Sequence, residues 1–529
     1  MKKMLLTLVL VLCLSLTAGA LCEERVHLTV GIAEMPQVID FETNRMTQLL
    51  EEEGNLDLDF VTYVGSEMIE KLNVEILAGG ENLPDVIMFG SGHRPTNSAV
   101  YNWALNDAII PLTQYVYDPE ASKNLNASLE TANLDVDLLK MITMPDGEIY
   151  YLPGYYSAMQ NEYRTKNWIY QPWLDTLGLE APTDAESLYT VLKAFKEQDP
   201  NGNGKADEIP LMSFAGTGSD LVMRSLLSMF CDVGNAEFYA VKDGQVYASF
   251  ITEEFREGLR YVKKLVDEGL LSPLTFTQDE AQWKALVSQE PTIIGMGIHP
   301  SMATRLPATD ERRDDYVGIP PFAQADGTVI TPITPTNAYP AFVVTRNCKN
   351  PEAAYRLGDL MCSERFTVMN RWGEEGIDWI RPGDDAVCLY ADMGFKPYLQ
   401  ETGTISWGSP QNQNWYNNGA ALRGFSVANG LCWNGNPLDS EYLISKIMPA
   451  YYGHGPAEYL TTLIYTEEEN DLIAEPDATI DSYRSQAMAQ FVTGSLDLDK
   501  DWDTYLRELN NDGLEDVLTV MQAAYDRNK

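Results

Sequence analysis

The sequence predicts an α/β protein with at least two lobes, on the grounds of chain length and of the pattern near its start. The chain has 529 residues, more than a single hydrophobic core usually accommodates. Residues 26–32, 58–64 and 85–89 have the composition of strands, whereas residues 41–53 and 67–77 have helical spacing of apolar residues. Strands that alternate with helices predict a parallel sheet.

The first twenty residues have the features of a signal peptide. Lys2 and Lys3 precede an apolar run, and residues 18–20 (AGA) form an A-x-A cleavage pattern. The run is shorter than the roughly 20 residues of a membrane-spanning helix, and no later segment is long and apolar enough to span. We therefore expect a mature chain outside the cytoplasmic membrane. A lipid anchor at Cys22 is the alternative, but Leu21 stands where a small residue is expected, so cleavage after Ala20 is favoured.

Charge and cysteine content narrow the classes of partner. The formal net charge is −41, which repels nucleic-acid phosphates and anionic lipid headgroups, so we expect no nucleic-acid partner. Six cysteines follow the signal segment and none forms a C-x-x-C motif. Their spacing predicts no pairing, and buried thiols and disulfides remain equal alternatives.

A calcium loop is predicted at residues 199–210 (DPNGNGKADEIP). Side-chain oxygens occupy the first, third and fifth positions, a glycine occupies the sixth, and the seventh offers a backbone carbonyl. Two further carboxylates follow. The twelfth position is Pro210 instead of glutamate, so a two-oxygen ligand must come from Glu208. We favour a structural Ca²⁺ site over a plain polar turn, with these ligands: Asp199, Asn201, Asn203, Lys205, Asp207 and Glu208.

A short amphipathic helix is predicted to lead into this loop. Thr183 is the expected N-cap and Glu186 stands three residues later, as in a capping box. Apolar residues then recur at helical spacing on one face: Leu188, Val191, Leu192 and Phe195.

Several segments, taken in order, resemble the extracellular solute-binding proteins of ABC importers, most closely the larger oligosaccharide-binding type with a calcium loop. No single segment is diagnostic, but their order spans almost the whole mature chain. The segments are 71–80 (KLNVEILAGG), 83–88 (LPDVIM), 110–113 (IPLT), 145–153 (PDGEIYYLP), 173–179 (WLDTLGL), 267–271 (DEGLL), 349–354 (KNPEAA) and 501–505 (DWDTY).

The resemblance implies a two-lobed, periplasmic-binding-protein-like α/β fold, with discontinuous lobes joined by a hinge and a ligand in the cleft between them. We expect residues 26–153 and 291–340 in the first lobe, and residues 154–290 and 341–529 in the second. The family places calcium ligands at the six loop positions named above. The implied partners of this monomer are an oligosaccharide or other polar solute and the membrane subunits of a permease.

Candidate recognition residues follow from sugar chemistry, because hydroxyls call for amides and sugar C–H faces call for aromatic rings. Residues 405–437 are dense in both and predict a long loop region, although its tryptophans alternatively only anchor a polar loop in the core. The carboxyl ends of the predicted strands point to loops at Glu34, residues 63–66 and residues 90–94. The ligand-binding candidates are Gly90, His93, Arg94, Tyr155, Tyr156, Trp372, Glu375, Trp407, Asn414, Trp415 and Trp433. Trp283 is a weaker candidate, because residues 281–287 also have the pattern of an amphipathic helix with a core tryptophan. Trp168 and Trp173 are expected to pack in the core.

Catalytic motifs are missing from the sequence. It contains no H-E-x-x-H, no G-x-S-x-G and no phosphate-binding loop. The leading hypothesis is therefore a non-enzymatic receptor that captures a sugar and delivers it to a permease. A secreted carbohydrate-active hydrolase with a structural calcium is the alternative, and a peptide-binding receptor is a third. The acidity argues against anionic sugars unless lysines or arginines gather in the cleft.

Overall fold

A six-stranded sheet, here called the first sheet, organises the first part of the computed structural model. The structure describes residues 24–528 except 91, 132, 133, 135, 136, 406 and 407, so the predicted signal peptide and Cys22 lie outside the described residues. The strand order is β14-β4-β11-β3-β1-β2. The strands are β1 (Val26–Ala33), β2 (Leu56–Tyr63), β3 (Val86–Met88), β4 (Leu152–Tyr156), β11 (Tyr339–Val344) and β14 (Ala421–Arg423).

A four-stranded sheet, here called the second sheet, has the order β10-β5-β9-β6. Two small two-stranded sheets complete the described β structure, pairing β7 with β8 and β12 with β13. The strands are β5 (Asn167–Tyr170), β6 (Ile209–Leu211), β7 (Tyr239–Lys242), β8 (Gln245–Ala248), β9 (Ile294–Ile298), β10 (Tyr316–Ile319), β12 (Trp379–Ile380) and β13 (Gln400–Glu401).

Helices cover both sheets, as the strand and helix alternation predicts. Those around the first sheet are α1 (Arg45–Gly54), α2 (Met68–Leu77), α3 (Asn97–Leu105), α4 (Thr113–Val116), α5 (Lys123–Thr131), α6 (Leu138–Ile142), α14 (Pro351–Cys362), α15 (Glu364–Trp372) and α16 (Phe425–Asn429). Those around the second sheet are α7 (Met159–Glu162), α8 (Gln171–Leu177), α9 (Ala185–Glu197), α10 (Thr217–Leu227), α11 (Glu253–Asp267), α12 (Glu280–Val287), α13 (Arg312–Asp315), α17 (Ser440–Tyr451), α18 (Glu467–Thr493), α19 (Trp502–Asn511) and α20 (Leu514–Asn528). Short 3₁₀ turns lie at Gly65–Glu67, Ser249–Ile251, Pro273–Phe276, Ala303–Arg305 and Ala391–Met393.

The predicted parallel start of the chain is confirmed. β1 pairs in parallel with both β2 and β3. The side chain of Asp85 joins the strands further, because its carboxylate accepts bonds of 2.8 Å from both the backbone N–H and the hydroxyl of Thr29. β11 runs antiparallel between β3 and β4, and β14 pairs in parallel with β4.

The helix before the predicted calcium loop is confirmed, but its cap is one residue later than expected. Asp184, not Thr183, is the N-cap, and it forms a capping box with Ser187. The Asp184 carboxylate accepts from the Ser187 N–H at 2.8 Å, while the Ser187 hydroxyl accepts from the Asp184 N–H at 3.1 Å. Aspartate is a better N-cap than threonine. Because the cap lies one residue later, Ser187 and not Glu186 stands three residues after it, so Glu186 takes no part in the cap. The predicted apolar face of this helix is buried.

The two sheets divide the chain differently from the expected lobe boundaries. β9 and β10 lie in the second sheet, although residues 291–340 were expected in the first lobe. β11 and β14 lie in the first sheet, although residues 341–529 were expected in the second lobe. The chain thus enters the first sheet near Tyr339 instead of leaving it there. The partner of a strand is set by nonlocal pairing, which a local apolar pattern does not specify.

Two further observations concern the described part of the chain. No helix there is both long enough and apolar enough to cross a bilayer. The cysteines of that part are free thiols, and Cys362, Cys388 and Cys432 among them are buried.

Trp415 is a core residue of the first sheet, so its removal is expected to destabilise the protein. Its ring is 0% exposed, packs edge-on against Phe41 and Phe60, and donates an indole N–H bond of 2.9 Å to Thr47. We expect Trp415→Ala to lower the free energy of unfolding by about 3–5 kcal/mol, measured by urea denaturation. Trp433→Ala is the control, because that ring is 37% exposed and the loss should stay below about 1 kcal/mol. Equal losses would contradict this assignment.

The buried His299 makes the stability of the folded chain depend on pH. Burial, assisted by the nearby charges of Arg305, Arg164 and Lys166, lowers the pKa of His299 to about 3. The imidazole of His299 takes up a proton near pH 6.5 in the unfolded chain, whereas in the folded chain it stays neutral at that pH. This contribution to stability is therefore complete above pH 6.5 and is lost as the pH falls towards 3.

We expect the stability difference between the native chain and His299→Gln to shift by about 2–3 kcal/mol between pH 7 and pH 4.5, with the native chain losing more. Denaturant unfolding of both proteins at both pH values measures this double difference, in which other titrating groups cancel. A difference that is the same at both pH values would show that folding leaves the pKa of this imidazole unchanged.

Candidate functional site

One edge of the first sheet gathers the ends of its strands. β1, β2, β3, β4 and β14 all finish at this edge, and the antiparallel β11 begins there. The three predicted loops meet as expected: the Glu34 N–H donates to the Tyr63 carbonyl at 2.7 Å, and the His93 ring lies against Gly65, within 2.6 Å of where a Cβ would stand. This edge is the position at which open α/β sheets bind ligands.

Arginines and aromatic rings alternate along this edge. We call the set formed by Arg94, Tyr339, Arg423, Tyr156, Arg371 and Trp372 the arginine–aromatic row. The Arg94 guanidinium lies 4.1 Å from the centre of the Tyr339 ring, and the Arg423 guanidinium lies 4.3 Å from that of Tyr156. Arg371 lies between two rings, 5.5 Å from Tyr156 and 5.2 Å from Trp372. Each such contact contributes about 0.5–2 kcal/mol, so the contacts hold like charges side by side.

Two glycines make room for this arrangement. A Cβ at Gly154 would overlap the ring of Tyr339, so only glycine on β4 lets that ring lie across the strand. A Cβ at Gly90 would overlap the backbone carbonyl of Asn417, and Gly90 forms a bridge with Asn418. The predicted site residue Gly90 therefore acts through close backbone packing. It brings the 414–419 loop against the sheet edge.

The second sheet contributes basic residues opposite this edge. Arg164 is exposed, yet its pKa is lowered, first by desolvation and then by the charge of Arg94. A side chain that is both reached by solvent and crowded by protein lies in a concave region. Arg164 and Arg94 belong to segments that flank different sheets, so this region is the cleft between them.

Lys166 lies behind Arg164 and is fully buried. Its ammonium donates to the backbone carbonyls of Gln160, at 2.8 Å, and Tyr163. Burial, with a smaller contribution from the charge of Arg164, lowers the pKa of Lys166 to about 7. Near neutral pH, Lys166 is thus only partly charged and serves to hold the 160–166 segment.

Two carboxyl groups accompany Arg371. Burial raises the pKa of Glu401 to about 7, although the charge of Arg371 opposes this rise, and Glu401 also bonds with the Trp372 side chain. Burial likewise raises the pKa of Glu441, against the charge of Arg371. Glu441 lies on α17, which packs on the second sheet, so this acidic pair also spans the cleft.

The structure brings several predicted site residues together. Gly90, Arg94, Tyr156 and Trp372 all lie at or beside the row, and His93 lies next to it on the adjoining loop. Trp372 is nearly buried, in a small core with Val368 and Trp379, and it borders the cleft through Arg371. Their role in ligand binding stays a prediction.

Other candidates lie elsewhere. Tyr155 and Trp415 are buried in the core of the first sheet, and the buried Asn414 is bonded to its own loop and to the Arg371 carbonyl. Glu375 is exposed and ion-paired with Arg381 at 3.2 Å, and Trp433 stacks on Tyr442. Trp407 lies outside the described residues. The segment 405–437 is also not all loop, since it contains β14 and α16. Trp168 and Trp173 are buried as expected, and Trp283 is buried on α12, in agreement with the packing alternative.

Sequence reasoning missed much of the row, namely Tyr339, Arg371 and Arg423, together with Arg164 across the cleft. Arg371 had an available signal, because it directly precedes the predicted Trp372. Tyr339 had one too, since it stands where the chain was expected to cross between lobes. Arg423 ends a three-residue strand, and no signal in the sequence pointed to it.

The predicted calcium loop is tightly folded. Asp199 accepts from the N–H groups of Asn203 and Gly204, at 3.1 and 2.9 Å. Asn201 and Asn203 turn their amide nitrogens towards Asp207, at 3.1 and 3.0 Å. Gly202 and Gly204 adopt positive φ angles of 69° and 74°, which suit glycine.

Glu208 is the least satisfied member of this loop. Its Oε1 is buried without a hydrogen-bond partner, and its pKa is raised by burial and then by Asp199 and Asp207. A cation among these oxygens would satisfy that orphaned atom and offset the repulsion, so the residues fit a hard ion. Among the described residues, no group of three or more His, Cys, Asp or Glu side chains is arranged to hold a metal, so an ion in this loop would also need amide and carbonyl oxygens.

Comparison with known proteins gives full-length relatives. No protein-family model matches the chain. It is 27% identical over 495 residues to the fructooligosaccharide ABC transporter substrate-binding protein FusA of Streptococcus pneumoniae, covering 91% of this chain and 86% of that protein. It is 24% identical over 485 residues to the lipoprotein LipO of Bacillus subtilis, covering 89% and 86%.

Solved structures share the fold. An HMO-binding, ABC-transporter-associated solute-binding protein from Bifidobacterium longum infantis matches with a TM-score of 0.77 at 20% identity, covering 95% of this chain and 99% of that one. FusA in complex with kestose matches at 0.72 and 24%, with the same coverage, and an EF-hand mutant of FusA has also been solved. The alginate-binding protein AlgQ2, solved without calcium ion, matches at 0.65 and 20%, covering 96% and 99%.

The fold and the relatives point to the same kind of protein. The chain has two sheets with a cleft between them, it is similar over 91% of its length to a named ABC transporter substrate-binding protein, and it shares its fold with solved solute-binding proteins. The chain is thus similar to the solute-binding proteins of ABC importers.

Proposed function

We propose that this protein captures an oligosaccharide in the cleft between its two sheets and delivers it to a membrane permease. The arginine–aromatic row is the observation that carries the proposal. Aromatic faces receive the C–H face of a sugar ring, and guanidinium N–H groups donate to its hydroxyls. The fructooligosaccharide specificity named for FusA supports the same class of ligand.

Lobe closure is the proposed mechanism. We assign residues 26–156 and 339–429 to the first lobe, and residues 159–334 and 440–528 to the second, following the sheets and their cores. The chain passes between them at residues 157–158, 335–338 and 430–439, which form the hinge. A ligand that contacts both lobes favours the closed state by its differential affinity.

The relatives support a binding protein over an enzyme, since those named here are substrate-binding proteins. The hydrolase alternative receives no support from them. Glu401 and Glu441 are a carboxyl pair beside Arg371, so turnover of chromogenic glycosides by the purified protein is the direct check. We propose that no product forms. We further propose a monomer that acts outside the cytoplasmic membrane, with a lipid anchor at Cys22 as the alternative to cleavage after Ala20.

Tyr156→Ala tests the cleft. The ring supports two arginines and offers a face to the ligand, so we expect at least a tenfold loss of affinity for any oligosaccharide that binds the native chain, measured by titration calorimetry. X-ray scattering should show compaction of the native chain on addition of that ligand. Tyr117→Ala is the control, because Tyr117 is highly exposed and remote from the row. Normal binding by Tyr156→Ala would place the ligand elsewhere.

We also propose that the 199–208 loop holds a structural Ca²⁺ through Asp199, Asn201, Asn203, Asp207, Glu208 and the Lys205 carbonyl. The EF-hand of FusA supports this proposal, as does the orphaned Glu208 oxygen. The ion would supply positive charge that ties the end of α9 to the start of β6.

Chelation is expected to lower the melting temperature by several degrees and added calcium to restore it, because a ligand of the folded state stabilises it by mass action. Asp199→Asn should remove this response. Asp326→Asn is the matched control, since Asp326 also accepts a backbone bond in an exposed turn, from Thr328 at 2.9 Å. Melting that is identical in chelator and in calcium would rule out a structural ion.

A further inference from the structure

We propose that the captured oligosaccharide is acidic, and that Arg94, Arg423 and Arg164 recognise a carboxylate on it from both sides of the cleft. This inference rests on the proposed function, and it specifies the chemical class of the ligand at the same site. It concerns a sugar that carries its charge as a uronate.

These three arginines have no acidic partner among the described residues. Arg45, Arg312 and Arg381 show the more usual situation in this acidic chain, since each is ion-paired with a carboxylate at 2.6–3.2 Å. Arg94 instead faces the Tyr339 ring, and the charged neighbour of Arg164 is another arginine. The chain has 78 acidic residues. Three guanidiniums around one cleft without a carboxylate partner that the structure describes therefore indicate a site for an anionic ligand.

Of the three arginines, Arg423 has the strongest need for an anionic partner. It is 2% exposed, yet its bonds go only to neutral groups: its Nη1 donates to the Asn417 amide oxygen at 2.5 Å, and it interacts with the Tyr339 hydroxyl. Its Nε is buried and has no hydrogen-bond partner. A buried cation without a counter-ion is costly unless an anion accompanies it. A ligand carboxylate at the row would supply that charge.

The positions of the arginines couple the anion to closure. Arg94 and Arg423 lie on the first-sheet edge, while Arg164 precedes β5 of the second sheet. Movement of the lobes towards each other brings Arg164 closer to Arg94, and like charges oppose that movement. A carboxylate between them reverses the sign of the interaction. The empty cleft is thus biased to stay open, and an acidic ligand closes it.

Acidic groups near the row do not neutralise these arginines. Glu401 and Glu441 lie close to Arg371, and burial raises the pKa of both carboxyls. Arg371 is therefore assigned to this pair and is not needed for anion recognition. The remaining basic group, Lys166, is committed to backbone carbonyls.

Matched acidic and neutral trisaccharides test the proposal on the full mature chain. The probes are trigalacturonate, triglucuronate and trimannuronate, each paired with its methyl ester, which has nearly the same shape but no charge, plus neutral fructo- and malto-trisaccharides and one sulfated trisaccharide. We expect at least one free acid to bind ten or more times tighter than its ester by calorimetry. The preference should weaken as salt is raised.

Variants assign the effect to residues. Arg423→Gln should cost the acid at least tenfold in affinity and should bring the ratio of acid to ester affinity close to one. Because Arg423 is buried, Arg164→Gln and Arg94→Gln provide exposed alternatives with the same expected selectivity. Arg507→Gln, an exposed helix arginine far from the cleft, is the matched control.

Each outcome decides one proposition. Binding of neutral trisaccharides without preference for any free acid overturns the acidic-ligand inference and leaves oligosaccharide capture standing. A preference for the sulfated probe over every uronate overturns the carboxylate assignment. Binding of none of these sugars counts against oligosaccharide capture itself, and with it against this inference.

Discussion

The contact between Tyr339 and Gly154 is the constraint on which the cleft depends. Because β4 presents no side chain at that position, the phenol ring lies across the strand and separates two guanidiniums that would otherwise repel each other directly. The antiparallel entry of β11 places the ring there, since Tyr339 pairs with Gly154 in the sheet register. A local packing detail and the sheet topology thus produce the same feature. The arginine–aromatic row is stable because each guanidinium lies over the face of an aromatic ring.

Much of the fold was accessible from the sequence because its signals are local. Apolar spacing predicted β1, β2, β3 and the helices between them, and the rule that parallel strands end at one edge predicted which loops would meet. The sheets divide the chain differently from the expected lobe boundaries for a nonlocal reason. β9, with glycines at two of its five positions, is equally compatible with either sheet, and only its pairing with β5 and β6 decides the matter.

The candidate site was only partly accessible, because residue type does not specify side-chain direction. Tyr155 and Tyr156 are neighbours on β4, yet the first enters the core and the second faces the cleft, as alternation along a strand requires. Trp415 was read as a sugar platform from its amide-rich surroundings, but those amides bond to the loop itself and fix the indole in the core. Arg164, Arg371 and Arg423 were missed because a strongly negative total charge conceals a local cluster of opposite sign.

The threading of the chain through both sheets has a consequence for its biosynthesis. The first sheet takes its last strand from residues 421–423, about four-fifths of the way along the polypeptide. The four strands of the second sheet all lie within residues 167–319, whereas the first sheet cannot be completed until residue 423 has been made. The first sheet is therefore the later of the two to mature, because its last strand is synthesised after every strand of the second sheet.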